Sequence, residues 1–509
     1  MPELLRCLLP PTASDELTHH LALPQLWLRT GEIRPIQGIT VSYFPAWTEV
    51  LYAGGLLLNQ EALARIIHFL LGLLVLLIPA CWTTPAGPWT FLALAALWLT
   101  TPAFYALLGI AYSDLGCLAA LLGAFFLWKQ WMEERERRLL IFASALTGLS
   151  VAIKYSALPA AVVLLGMSFL EILSRRKKEG LSAYGDLPCL LAAAIAPLPH
   201  FVINGMTTGN PLYPLLQAVF GGPEAATGLP LGHWEIRELF YGESLLLRLL
   251  VPLRIYWTGL SGSQERFDGV INPLWLFWPL LFLWSKEGKS QRIEIRLALA
   301  WAAISLITFL TASPRARYYL PALAPLAVLF VEKFPAIEWT PKRKRAALAL
   351  AVLGGLFGLV HNGREIVRSG LFPYLSGAQG REAYLQEHVP EYAALEAARE
   401  HLPGNAVVYP ILAGNRFYYI GRQVRLDSGF LPDILKTVIG ESESASDAAR
   451  AFQKLGISHL LFPPSQLAAT LRAELTGPQW AVSSEFFETK CVPISQKGAF
   501  TLCAIAPDS

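Results

Sequence analysis

The chain has 509 residues, of which 54% are hydrophobic and 16% charged, with a formal net charge of +3. A globular protein carries roughly a quarter charged residues, so this composition excludes an ordinary water-soluble enzyme and points to repeated bilayer crossings. The basic residues are confined to a few loops and form no nucleic-acid-binding stripe, which removes nucleic acid as a partner.

Residues 1–61 form a first loop with interfacial helices. They open with a short apolar piece, Leu4 to Leu9, closed by Pro10-Pro11. That piece is too short to span, and it lacks the basic start and small-residue cleavage site of a signal peptide. Asp15-Glu-Leu-Thr-His-His-Leu-Ala-Leu-Pro follows and is amphipathic. Its two acids have a bland reading and a sharp one. Ser14 can cap a helix whose first turn favours acids. Alternatively, a carboxylate held at the membrane surface takes the proton of an acceptor hydroxyl. Leu17, Leu21, Leu23 and Trp27 are expected to press this helix onto the bilayer. His19, His20 and the later His233 lack metal-ligand spacing and are assigned no metal.

From 62 to 361 the chain reads as a transmembrane core of about ten or eleven spans. The candidates are 62–82, 89–110, 114–131, 138–153, 156–173, 187–203, 271–285, 294–312, 318–334 and 345–361. Basic clusters at Lys129–Arg138, Arg175–Lys178, Lys286–Arg296 and Lys342–Arg345 all fall on one face of this arrangement, and short basic loops stay cytoplasmic. The opposite, extracytoplasmic face receives residues 1–61, Asp114, Lys154, the segment 204–270, Ser313–Arg317 and everything beyond about 362.

Three charged features stand where apolar runs meet that face. Asp114 interrupts the passage Leu107 to Trp128, and an acid in a membrane sits at a helix end or lines a cavity. Helix capping is its plain alternative. Lys154, followed by Tyr155, lies between two apolar runs, as a snorkelling amine or as a phosphate ligand. Arg315 and Arg317 occupy the tight turn Ser313-Pro-Arg-Ala-Arg317 before Tyr318; they anchor the interface or neutralise a leaving phosphate. The segment Asn204-Gly-Met-Thr-Thr-Gly-Asn-Pro-Leu-Tyr-Pro214 is rich in turn residues and either touches substrate or caps helix ends.

Residues 362–509 change character and read as a small extracytoplasmic α/β domain. Glu391 to Leu402 and Ser446 to Lys454 have helical patterns, while Ala406 to Tyr409 and Ile457 to Phe462 read as strands. Cys491 and Cys503 flank the hairpin signal Ser495-Gln-Lys-Gly498 at equal distance from Lys497. Either they pair across the strands in an oxidising compartment, or they are two unrelated buried thiols, the commoner case.

Taken together, the chain resembles the GT-C glycosyltransferases, polytopic enzymes that use polyprenyl-phosphate sugars, such as protein O-mannosyltransferases and the aminoarabinose transferase of lipid A. The resemblance covers most of the chain. It rests on Asp15 to Pro24 with Tyr43-Phe-Pro45 and Glu49, on Ala111-Tyr-Ser-Asp-Leu115, on Ile153-Lys-Tyr155, on Thr208 to Pro214, and on Arg315-Ala-Arg-Tyr318. It implies a catalytic base at Asp15, with Glu16 beside it and a second outer acid at Asp114. Lys154, Tyr155, Arg315, Arg317 and Tyr318 then bind the lipid phosphate. The implied reaction is an inverting transfer of a sugar from a polyprenyl-phosphate donor to a hydroxyl of a glycan, lipid or protein acceptor, in the plasma (inner) membrane and among its lipids. The metal is left unassigned, although the two acids are a pair that can hold a divalent cation. Family members place a helix before the first outer loop, so a preceding span is expected to be missing here. The competing readings are a lipid-linked glycan transporter or flippase, whose charges should line a path through the bilayer, and an inactive GT-C-like scaffold.

Overall fold

The computed structural model describes residues 2–36, 38–81, 87–221, 233–280, 291–427 and 432–506, with backbone alone at 176–183 and 291. After a π-helical turn at Glu16–His20 come α1 (Ala22–Thr30), α2 (Trp47–Leu57), α3 (Glu61–Leu77), α4 (Pro88–Leu99), α5 (Pro102–Leu107), α6 (Asp114–Glu134), α7 (Arg137–Ile153) and α8 (Leu158–Glu179). The core continues through α9 (Leu198–Thr208), α10 (Gln291–Thr311), α11 (Leu320–Lys333) and α12 (Pro341–Arg368).

The polytopic helical architecture is as expected. Among the described residues six helices are long and apolar enough to cross a bilayer: Glu61–Cys81, Asp114–Glu134, Tyr155–Arg175, Arg292–Thr311, Ala316–Ala336 and Pro341–Arg368. A seventh is counted if Tyr184–Ile195 and Leu198–Thr208, which meet at 60°, form one broken span. The other segments of the sequence reading have local reasons for falling short. Pro102 ends the 89–110 run early, because proline removes a helix donor and α5 must start anew. Segment 138–153 becomes the 17-residue α7, and 271–285 shows a short helix at Leu274–Phe277 that tightens into a 3-10 turn over 278–280 before passing outside the described residues.

Helix α6 is the hub. It packs against α3, α7 and α11, while α10 packs against α8 and α11. Within its apolar window 83% is buried inside the protein, against 11% for α12, so α12 is a peripheral helix left to face lipid. Even so, Gly358 lets α12 approach closely, since a Cβ there would lie 2.5 Å from the Thr100 carbonyl oxygen. Asn272 bridges the same contact, donating from Nδ2 to the Thr100 and Gly354 carbonyls at 2.9 and 3.0 Å.

The basic clusters converge at one end of the bundle. Lys129 pairs with Glu332 at 2.7 Å and Lys333 with Glu294 at 2.5 Å. Buried Glu171 takes Arg135, Arg292 and Arg296 at 3.0, 2.9 and 2.6 Å. Lys286, Lys289 and the side chains of Arg176 to Lys178 lie outside the described residues.

Beyond the bundle stands a five-stranded mixed sheet of β1 (Val407–Pro410), β2 (Gln423–Val424), β3 (His459–Phe462), β4 (Cys491–Lys497) and β5 (Phe500–Ile505), in the order β2-β1-β3-β5-β4. β1 is parallel to β2 and β3, and β5 is antiparallel to β3 and β4. Helices Tyr392–His401 and Ala445–Lys454 stand where the helical patterns placed them. The hairpin differs in detail. Strand β4 runs on through Lys497, so the turn falls at Gly498-Ala499 rather than over Ser495 to Gly498. Cys491 and Cys503 are joined in a disulfide with Cα atoms 5.5 Å apart. They are not opposite one another: Cys503 faces Pro493, and a register shift between Pro493 and Ser495 brings the two cysteines together diagonally.

A second correction concerns the first loop. Leu17, Leu21, Leu23 and Trp27 are buried, and they share a hydrophobic core with Tyr384, Leu395, Phe417 and Ile420 of the C-terminal region. The backbone N–H groups of Phe417 and Tyr418 both donate to the Leu17 carbonyl, at 3.0 and 3.1 Å. The amphipathic face therefore meets protein, not the bilayer surface.

Candidate active site

The end of the bundle opposite the Glu171 cluster holds a cavity of about 540 Å³. Its walls include Ser14, Asp15, Tyr112, Asp268, Arg315 and Arg317, and on the C-terminal side Tyr384 and Asn415. The backbone delivers these groups from several helix ends. His68 on α3 shapes the turn before α6: its Nδ1–H donates to the Ile110 carbonyl at 2.6 Å, and its Nε2 accepts the Leu115 N–H at 3.2 Å. That turn carries Tyr112 and Asp114. Lys154 ends α7 in extended backbone, and Arg315 and Arg317 flank the start of the turn leading into α11.

Five of the expected residues form a connected network. Arg317 Nη2 lies 2.6 Å from Asp15 Oδ2, and Lys154 Nζ lies 2.6 Å from Asp114 Oδ2. Tyr318 joins the two pairs, with Arg317 5.3 Å and Lys154 5.4 Å from its ring centroid. The Asp15 side chain makes no capping bond within its own turn. Burial alone would push the Asp15 carboxyl up. The guanidiniums of Arg317 and Arg315 outweigh burial and hold it well below the usual carboxylate range, so it is an anion at neutral pH.

Two of the expected residues are turned to other work. Glu16 is fully buried in a bidentate pair with Arg65, at 2.8 and 2.7 Å, and accepts the Ala111 N–H at 2.6 Å. Those bonds tie the first loop to α3 and to the Tyr112 turn, and Glu16 itself is not among the residues that line the cavity. Tyr155 bonds through its hydroxyl to His200 at 3.1 Å, away from the cavity wall. The Asn204 to Pro214 segment likewise braces its surroundings. Asn204 Nδ2 donates to the Tyr43 and Tyr213 carbonyls at 3.0 and 3.1 Å, which is the capping alternative.

Three groups escaped the sequence reading. Tyr112 lies beneath Arg317, 4.8 Å from guanidinium to ring centroid, and its oxygen accepts the Asp15 N–H at 3.3 Å. Asp268 reaches Arg317 Nη1 at 3.9 Å from a loop in which Phe267, Asp268 and Gly269 all have positive φ. Phe-Asp-Gly is a turn signal that was available in the sequence, but nothing local said the turn would meet Arg317. The third group is a cluster of His19, His20 and Glu49, where His20 Nδ1 is in hydrogen-bond contact with Glu49 Oε1. Burial pushes the Glu49 carboxyl up to about 6 and the imidazoles of His19 and His20 down to about 3.

No protein-family model matches the chain, and no curated protein does. Solved structures do. ArnT from Cupriavidus metallidurans bound to undecaprenyl phosphate superposes with a TM-score of 0.58 at 14% identity, covering 100% of this chain and 96% of that one. The same protein in its apo state gives 0.56 at 12% identity, covering 99% and 95%. An oligosaccharyltransferase from Archaeoglobus fulgidus gives 0.48 at 14% identity, covering 98% of this chain and 70% of that one. The full-length agreement with ArnT, reached at an identity too low to carry function, shows that this polytopic chain has a GT-C-like fold.

Proposed function

We propose that the protein is a membrane glycosyltransferase that moves a sugar from a lipid-phosphate donor to an acceptor hydroxyl. The observation that carries this is the Asp15–Arg317 pair on the wall of the cavity, with Arg315 beside it and Lys154–Asp114 linked through Tyr318. A sugar phosphate ester needs cations at the leaving oxygen and a carboxylate on the opposite side of the anomeric carbon, and it needs no acid because phosphate leaves unprotonated. In the step itself, the acceptor oxygen bonds to the anomeric carbon while the carbon–oxygen bond to phosphate breaks. The electron pair stays on the phosphate, the acceptor proton passes to Asp15, and the anomeric configuration inverts.

The resting pair has a consequence for this step. A carboxylate held by Arg317 is a weak base. A donor phosphate that draws Arg317 and Arg315 to itself would release Asp15 into a buried setting, where its proton affinity rises. The donor thus switches on its own base. Asp114 orients the acceptor, and Glu16, locked to Arg65, holds the loop that presents Asp15.

Sidedness follows from the charge rule. The Lys- and Arg-rich end faces the cytoplasm, so the cavity and the C-terminal domain lie outside, in the plasma (inner) membrane. The ArnT comparison supports the donor class, because the matched structure binds undecaprenyl phosphate. The cavity residues gather at one end of the bundle rather than along a path through it, which favours transfer over transport. The deciding experiment measures transfer of radiolabelled sugar from a polyprenyl-phosphate donor in membranes holding wild type or Asp15→Asn at equal levels. Transfer by wild type and its loss in the variant support the reading; near-normal transfer by the variant removes Asp15 as the base.

A further inference from the structure

We propose that His19, His20 and Glu49 form a binding site for a divalent transition metal of the zinc class, distinct from the Asp15 and Asp114 pairs. One ligand atom from each of the three residues lies within 4.8 Å of the others. Two imidazoles and a carboxylate make a nitrogen-and-oxygen set that zinc accepts in tetrahedral geometry with a fourth position open. Hard cations such as magnesium prefer all-oxygen sites and fit this set poorly.

Two features point to a ligand rather than to a packed histidine pair. His19 Nε2 and Glu49 Oε2 are both buried and, among the described residues, have no hydrogen-bond partner. Native folds rarely leave such atoms orphaned unless an ion or water meets them. The local backbone is also unusual. Glu16–His20 is a π-helical turn, and the rings of His19 and His20 stack on it, with centroids 4.5 Å apart and planes 22° from parallel. Single π-turns recur at functional sites.

The contact between His20 and Glu49 is closer than two ligands of a common ion, which stand on the order of 3.3 Å apart around zinc. Binding therefore replaces that hydrogen bond. The shared proton leaves to solvent, the carboxylate and the imidazole each donate a lone pair to the ion, and the side chains open slightly. The site lies one aromatic ring from the proposed chemistry: His20 is 5.1 Å from the Tyr112 ring, and Arg317 is 4.8 Å from it. Asp15 and Asp114 already face Arg317 and Lys154, so the ion would tie the loop of Asp15 to α2 without touching donor or acceptor. It is a positioning site, and its existence does not depend on the transfer reading.

The test uses the full chain in detergent, stripped with EDTA and titrated with Zn²⁺. The readouts are metal content by mass spectrometry and the visible spectrum of the Co²⁺ form. The expected result is one ion per chain with a nitrogen- and oxygen-ligated Co²⁺ spectrum. Zinc affinity should fall at least about 10-fold in both His19→Ala and Glu49→Gln and stay unchanged in Asp15→Asn. His19 is the only partly exposed member of the three, so His19→Ala carries the test if Glu49→Gln fails to fold. Wild type that takes up no zinc at micromolar concentration overturns the proposal. So does zinc retained by a folded His19→Ala variant, or zinc lost from Asp15→Asn.

Discussion

The two ends of the bundle use the same pieces differently. At one, Glu171 is fully buried and held by three guanidiniums, Arg135 from the α6–α7 turn and Arg292 and Arg296 from α10. At the other, Asp15 and Asp114 each have one cation within 2.6 Å, and Asp15 opens onto a cavity of about 540 Å³. A carboxylate whose lone pairs are all taken is a staple. One with a single displaceable partner and space beside it is ready for chemistry. The same contrast separates neighbours in the chain, since Glu16 is clamped by Arg65 while Asp15 faces the cavity.

Substitutions can break this comparison, and the largest effect should come at the open end. Asp15→Asn should lower transfer per folded molecule by about 10²- to 10⁴-fold, as expected for a lost general base. At the closed end Glu171→Gln should do the reverse. It leaves three guanidiniums short of their partner and should cost about 3–5 kcal/mol of stability, read as a lower unfolding midpoint in detergent, while transfer per folded molecule holds. Arg65→Met sharpens the Asp15–Glu16 contrast. It strands the buried Glu16 carboxylate, so stability should fall by about 3–5 kcal/mol, with activity lost in proportion to the unfolded fraction.

Away from both ends, Cys491→Ser opens a crosslink across 12 residues and should cost about 2–4 kcal/mol, seen in the C-terminal domain by hydrogen exchange. The last effect is one of pH. His19 and His20 are held neutral in the fold down to about 3, against an ordinary value of 6.5. Below 6.5 the unfolded chain therefore binds more protons than the folded one, and stability falls with pH until about 3. In the metal-free protein the unfolding midpoint should drift down between pH 6.5 and 4, and the drift should flatten in a His19→Ala variant.

Much of this was legible in the chain. The span positions followed from hydropathy, because a bilayer imposes a length that sequence alone can report. The convergence of Asp15, Asp114, Lys154 and Arg317 followed from counting which side each loop must face. The number of full spans did not follow, because Pro102 and Pro197 break runs that remain apolar throughout. Glu16 and Tyr155 were named for their neighbours, and only packing distinguishes a residue facing a cavity from one facing Arg65 or His200. The Glu49 contact with His20 spans 29 residues, and no local spacing rule reports a partner so distant. Leu17 and Trp27 looked like bilayer-facing residues because an apolar face does not say what will cover it.

That cover is the C-terminal region, and it sets an order of events during synthesis. The Tyr419 hydroxyl bonds the Pro11 carbonyl at 2.7 Å across 408 positions, beside the paired amides that hold Leu17. At translation rates of about 5–20 residues per second, the segment bearing Asp15 emerges roughly 20 to 80 s before the pieces that brace it. The earliest-made loop is thus the last part of the fold to be finished, so a chain released before its final hundred residues would be inserted in the membrane with that loop unbraced.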